Sequence, residues 1–379
     1  MKTLDLRKLE QLTTDHTLEE LRGGALSGKE ILIHQNGKTV FHKVFGFKSA
    51  DGTPLEPNML FRAASMTKPI TTAGILMLIE RGLIDLDEPI KTYYPKAAEL
   101  KVAEVEGDKV KALRPIINAV TMRHLLSHSS GIGSSPLKEI SHAPNNLPFK
   151  DAVESILDNP ISFEPGTSQS YSPTDAFDVA ARIAEIVTGE PFDKFLYDNL
   201  FLPLGMKNTT FAPTGELLTR AVAMHAKSEN GTIFDDNMAE NCVFENYLYE
   251  RRPAGAGLIT SAEDYIRFAD TLCLGGISPS GTRIMEENTA RMMSEPQEPE
   301  WAPGCSERWG LGVRVLVSSN YPFGLTAGCY GWSGAYGSHF WIDPANKLTV
   351  VMLKNSRIDG GAGNHSAQTL EKDVSASLI

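Results

Sequence analysis

Apolar and polar positions alternate near both ends of the chain, whereas the long middle carries the wider spacing of helices. Residues 30–35 (Glu-Ile-Leu-Ile-His-Gln) and 38–45 (Lys-Thr-Val-Phe-His-Lys-Val-Phe) are separated by Asn36-Gly37. That dipeptide tolerates the left-handed backbone of a two-residue turn, so the pair predicts a β-hairpin. Near the other end, residues 338–342 and 348–353 flank Asp343-Pro344-Ala345-Asn346-Lys347 and predict a second hairpin, with a further strand over 310–317. Between the ends, Ala176 to Thr188 sets Phe177, Ala180, Ala184 and Val187 on one face and stops at Gly189. Residues 192–200 and 262–274 read as helices in the same way. The expected fold is therefore α/β of the α+β type. Its N- and C-terminal segments form one antiparallel sheet flanked by helices, beside a mainly helical subdomain. No internal repeat or low-complexity linker divides residues 1–379, which read as a single domain. Residues 1–85 with 250–379 would carry the sheet, and 86–249 the helical part.

Composition narrows the partners more than the fold. The 379 residues are 41% hydrophobic and 22% charged, ordinary for a globular chain, with a net charge of −11. Such a surface repels nucleic acid and anionic membranes. The densest basic stretch, Lys101 to Arg114, interleaves its cations with acids and reads as a solvated, hairpin-like excursion. Residues 1–8 alternate charge and leucine without the apolar core of a signal peptide. No stretch approaches the roughly 18 uncharged apolar residues of a membrane helix. A cytoplasmic protein with no membrane partner is expected. Cys242, Cys273, Cys305 and Cys329 include no close-spaced pair, so structural thiols are expected and no metal site.

Chemistry enters at Ser65-Met66-Thr67-Lys68. The Ser-x-x-Lys spacing alone says little, because Ser135-Pro136-Leu137-Lys138 repeats it in a stretch unsuited to a helix. After Lys68, however, the chain runs from Pro69 to Ile79 without a charge, which predicts a buried helix. Pro69 is tolerated only in its first turn, so Ser65 lies near the helix start. Positions i and i+3 share a face, which brings the Lys68 amine to Ser65 Oγ. Burying an ammonium lowers its pKa, and a neutral amine beside a serine is a general base. Helix-start N–H groups, that of Ser65 among them, suit a developing oxyanion. The competing bland role for the pair is a helix-capping serine and a lysine reaching solvent.

Other segments widen the pattern. Phe61-Arg62-Ala63-Ala64-Ser65-Met66-Thr67-Lys68-Pro69 resembles the nucleophile segment of class C β-lactamases, penicillin-binding proteins and family VIII carboxylesterases. Thr121 to Ile132, Phe163-Glu164-Pro165-Gly166 with Tyr171-Ser172-Pro173, Phe201 to Met206 and Gly255-Ala256-Gly257-Leu258 resemble further segments of that superfamily, in its order. The resemblance implies a β-lactamase/transpeptidase-like fold, a single catalytic domain and an acyl-enzyme on Ser65, with no cofactor. It implies Tyr171 as a second base or acid sharing the proton with Lys68. It places the Lys-Thr-Gly strand of the superfamily at Trp332-Ser333-Gly334, with the Ala335 N–H completing the oxyanion hole beside Ser65. Ser172, Trp332, Ser333 and Gly334 would then contact substrate.

Two departures bear on the substrate. Pro173 replaces the asparagine of Tyr-x-Asn, and Trp332 replaces the lysine that helps hold a carboxylate. Without those partners a β-lactam or peptide C-terminus binds poorly. A carboxylesterase acting on small esters, with weak or no β-lactamase activity, is expected. A D-stereospecific aminopeptidase or amidase, a DD-carboxypeptidase or β-lactamase, and a catalytically silent binding protein on the same fold are the alternatives. An α/β-hydrolase elbow is excluded, because no serine has glycine at both −2 and +2. His124 and His128 have the spacing of a zinc helix but lack its glutamate, and Asn36-Gly37-Lys38-Thr39 is a hairpin turn rather than a phosphate loop.

Overall fold

The computed structural model describes residues 1–106, 109–134, 147–236, 251–299 and 304–379. Seven strands form its main sheet: β1 (Gly28–Gln35), β2 (Lys38–Gly46), β3 (Glu307–Trp309), β4 (Arg314–Leu316), β5 (Tyr330–Ser333), β6 (His339–Asp343) and β7 (Leu348–Leu353). Their spatial order is β2-β1-β7-β6-β5-β4-β3, with every neighbouring pair antiparallel. The two ends of the chain meet where β1 pairs with β7, from Glu30 opposite Leu353 to Gln35 opposite Leu348. At the first hairpin Asn36 and Gly37 take φ of 53° and 68°, the left-handed pair that such a turn requires.

Because side chains alternate along a strand, the central strands feed two cores. Leu32, Phe340, Ile342, Val351 and Leu353 join the large core shared with the helical region. Ile31, Ile33, Trp341, Val350 and Met352 join a smaller core on the other face. Five helices matter for the site: α1 (Leu6–Arg22), α2 (Thr67–Glu80), α3 (Asp175–Thr188), α4 (Ala262–Cys273) and α5 (His365–Ala376). α4 covers the first face, and α1 packs on α5 across the second. α2 is buried at every position from Thr67 to Leu78, as its lack of charge predicts. α3 ends at Gly189 with φ 73°, the expected stop.

Two expectations change, and two helices appear that the sequence does not predict. The strand expected over 310–317 is only β4, because Gly310 N–H donates to Val313 O at 2.9 Å and closes a turn between β3 and β4. The helix expected over 192–200 is regular only over Phe192–Leu196 and continues as a π turn over Tyr197–Phe201. α1 and α5 carry no clear apolar stripe in the sequence, since their buried positions include Thr13, Thr17, Glu20, Ser366, Glu371 and Asp373. The basic stretch is a hairpin, Lys101–Glu106 against Lys109–Pro115. Among the described residues no helix is long and apolar enough to cross a membrane.

Candidate active site

Ser65 sits in a 3-10 turn, Ala64–Met66, that leads directly into α2. The turn begins with Ala64 at φ 46°, a left-handed conformation that a side chain disfavours. Its surroundings hold it there. Ala63 N–H donates to Leu258 O at 2.9 Å, Leu258 N–H donates to Thr67 Oγ1 at 3.1 Å, and Tyr265 OH of α4 donates to Met66 O at 2.8 Å. The Ala64 methyl is buried against Met224 and Tyr336.

Lys68, one turn further on, is completely buried. Its Nζ lies 3.3 Å from Ser65 Oγ, 2.5 Å from Pro173 O and 2.9 Å from Gly255 O. Among the described residues no carboxylate forms an ion pair with it. Burial pulls its pKa below the usual 10.5, opposed by the Tyr171 phenol and the charges of Asp178 and Asp175. A neutral amine has two N–H groups for the two carbonyls, which leaves its lone pair for Ser65 Oγ. Gly255 is needed for this approach, since a Cβ there would stand 2.9 Å from Pro173 O. Tyr171 OH donates to Ser65 Oγ at 2.6 Å, and its ring centroid is 4.9 Å from Lys68 Nζ. Ser65, Lys68 and Tyr171 therefore converge on one oxygen.

β5 runs alongside this turn. A Cβ on Gly334 would stand 2.5 Å from the Ala63 carbonyl oxygen, so only glycine lets the strand end lie so close. Beyond it the chain turns sharply, with Gly334 N–H donating to Ser338 O at 2.7 Å. Ala335 is exposed on this turn, and its N–H makes no hydrogen bond among the described residues. Trp332 packs its ring 5.5 Å from Tyr171 and 4.6 Å from Trp309, centroid to centroid. Ser333 faces the opposite side of the sheet, where its Oγ lies 2.8 Å from His339 Nδ1. His339 Nε2 in turn lies 3.1 Å from Glu371 Oε1 of α5. Ser172 is buried and accepts Ala176 N–H at 3.1 Å, so its hydroxyl serves the first turn of α3. Ser135 and Lys138 lie outside the described residues. His124 and His128 share no helical face, because their helix ends at Leu126.

Sequence reasoning missed several contributors. The carbonyls of Pro173 and Gly255 hold Lys68, yet a carbonyl has no residue signature. His128 and Trp309 wall the Tyr171 ring, at 4.7 Å and 5.9 Å between centroids. His128 falls in the Thr121 to Ile132 segment, where its spacing from His124 suggests only zinc, and Trp309 stands in a stretch with no chemical pattern of its own.

Fold and site together define a β-lactamase-like serine hydrolase of the penicillin-recognising class. A family model described as Beta-lactamase matches residues 14–371, and the chain belongs to that family. Esterase EstB from Burkholderia gladioli is 26% identical over 374 residues, covering 91% of this chain and 90% of that protein. EstCE1, a hydrolase with promiscuous acyltransferase activity, shares the fold with a TM-score of 0.82 at 22% identity, covering 98% of this chain and 99% of EstCE1. The D-amino acid amidase from Ochrobactrum anthropi shares it with a TM-score of 0.71 at 20% identity, covering 98% and 97% of the two chains.

Proposed function

We propose that this protein is a carboxylesterase that works through an acyl-enzyme on Ser65, with Lys68 and Tyr171 moving the proton. The observation that carries this reading is the double approach to Ser65 Oγ, 2.6 Å from Tyr171 OH and 3.3 Å from a fully buried Lys68 Nζ. Lys68 accepts the hydroxyl proton as Ser65 Oγ bonds to the ester carbonyl carbon. The N–H groups of Ser65 and Ala335 hold the oxyanion. Tyr171 passes a proton to the alcohol oxygen as the C–O bond breaks and regains one from Lys68, and water then releases the acid by the reverse path. The site is formed between the sheet-bearing region (1–85 and 250–379) and the helical region (86–249). Its substrate-side surface comes from Trp332 and Gly334, while the Ser333 hydroxyl is turned away to His339.

An uncharged ester is favoured over a β-lactam or an amide bearing a carboxylate. Trp332 and the ring of Pro173 offer hydrocarbon where a charged or amide partner would be needed. The similarity to esterase EstB agrees with this preference. Side-by-side turnover of p-nitrophenyl butyrate, a D-amino acid p-nitroanilide and nitrocefin tests it, with Ser65→Ala as control. The ester is expected to be fastest. Faster turnover of nitrocefin would overturn the ester assignment, and an active Ser65→Ala enzyme would overturn the nucleophile.

A further inference from the structure

Between α2 and β3, one histidine holds the Tyr171 segment from both sides. Ser170 N–H donates to the His128 carbonyl oxygen at 2.9 Å, and Ser172 N–H donates to His128 Nδ1 at 3.1 Å. The residue between those two amides is Tyr171. The imidazole also lies against the Tyr171 ring, with Trp309 and Phe177 closing round it at 4.4 Å and 5.4 Å between centroids. To reach both amides, His128 adopts φ 59°, a left-handed conformation that costs about 1–3 kcal/mol for an ordinary residue. Strain of this kind persists only where neighbours over-determine it, and here the neighbours are the Ser170 and Ser172 amides and the Tyr171 ring.

We infer that His128 is a positioning residue: as a neutral imidazole accepting at Nδ1, it fixes the place of the Tyr171 hydroxyl over Ser65 Oγ. This inference rests on the Ser65 acyl-enzyme reading. An acceptor at Nδ1 puts the proton on Nε2, which is buried and has no hydrogen-bond partner among the described residues. The titratable groups against the ring are Lys68 of α2 and Tyr171. Burial, reinforced by Lys68, holds the imidazole well below its usual pKa of 6.5. A proton on Nδ1 would set two donors against each other at the Ser172 amide and loosen the clasp on Tyr171.

The left-handed backbone makes the test selective, because asparagine tolerates that conformation and carries an acceptor where Nδ1 stands. Leucine offers neither feature. His128→Leu is expected to lower kcat for p-nitrophenyl butyrate by about 10²-fold with little change in KM, since a misplaced group loses rate rather than affinity. Its pH–rate profile should be displaced from that of the parent enzyme. His128→Asn should recover most of the loss and the parent profile. Labelling with a fluorophosphonate provides a readout independent of substrate class, and the rates should fall and recover in the same order. If His128→Leu does not fold, His128→Gly supplies the backbone without the ring, and added imidazole should raise its labelling rate. Labelling of the parent and His128→Leu at equal rates would overturn the role of His128 and leave Ser65 in place. So would a His128→Gly enzyme that labels at the parent rate, or one that imidazole does not help. An unlabelled parent enzyme would overturn the Ser65 reading and this inference together.

Discussion

Among the described residues two lysines are wholly buried, and their surroundings could hardly differ more. Lys354 follows β7, and its Nζ lies 2.5 Å from Asp359 Oδ2 and 2.9 Å from Ser366 Oγ. Among the described residues Lys68 has no carboxylate in ion-pair contact, and it meets two carbonyls and a hydroxyl. Burial lowers both, yet the carboxylate of Asp359 limits the fall at Lys354 to about 8. An ammonium beside a carboxylate is a strut. An amine beside dipoles alone is free to take a proton from its neighbour. The contrast shows that a buried lysine declares its work through its partners rather than its burial.

The proposed roles can be broken by exchanging each lysine for methionine. Lys68→Met and Ser65→Ala are each expected to reduce kcat/KM for p-nitrophenyl butyrate by about 10⁴-fold or more, because the nucleophile and its base act as a unit. Lys68→Met should shift stability by only about 1 kcal/mol in urea titrations, since an apolar side chain tolerates the site better than an unpaired ammonium. Tyr171→Phe comes next, with a loss of about 10²–10⁴-fold in kcat, the range of a single proton-transfer group.

Lys354→Met should show the reverse pattern, costing about 3 kcal/mol of stability by leaving Asp359 without its cation. Its effect on kcat should be smaller than that of any change at Lys68. The pH dependence sharpens the point. From about 8 to 10.5 the folded protein has released a proton at Lys354 that the unfolded chain retains, so this residue adds stability as pH rises across that window. Lys354→Met should therefore cost more at pH 10 than at pH 8. Asp359 is pushed down to about 2, so its contribution is present above 3.8 and lost as pH falls toward 2. For Lys68 the depressed pKa means that kcat/KM rises with pH well before 10.5, and a rate profile flat through that limb would break its assignment as base. The smallest expected effect is none at all. Ser135→Ala should leave kcat unchanged, since the site assembles round Ser65.

Much of this was legible in the sequence wherever one side of an element carries one kind of residue. The charge-free run after Lys68 is α2, and Asn36-Gly37 turns the first hairpin as expected. Where polar side chains are buried, the pattern fades. α1 and α5 hide Glu20, Glu371 and Asp373 in their inward faces, and neither helix stands out from composition. At the site, Ser65, Lys68 and Tyr171 are side-chain chemistry and leave a motif. The grip on Lys68 comes from the Pro173 and Gly255 carbonyls, which any residue possesses. Ser333 shows the opposite failure, because a hydroxyl at the expected position turns to His339 across the sheet.

Ala64, held at φ 46° against Met224 and Tyr336, has a consequence for how such a protein can change over generations. Glycine there would relieve the strained backbone, and selection on that strain alone would favour it. It would also remove the methyl that joins the Ser65 turn to the segment bearing Ala335. A lineage adapting to heat would therefore gain at this position only by loosening its own reaction centre, and must seek its robustness elsewhere in the chain.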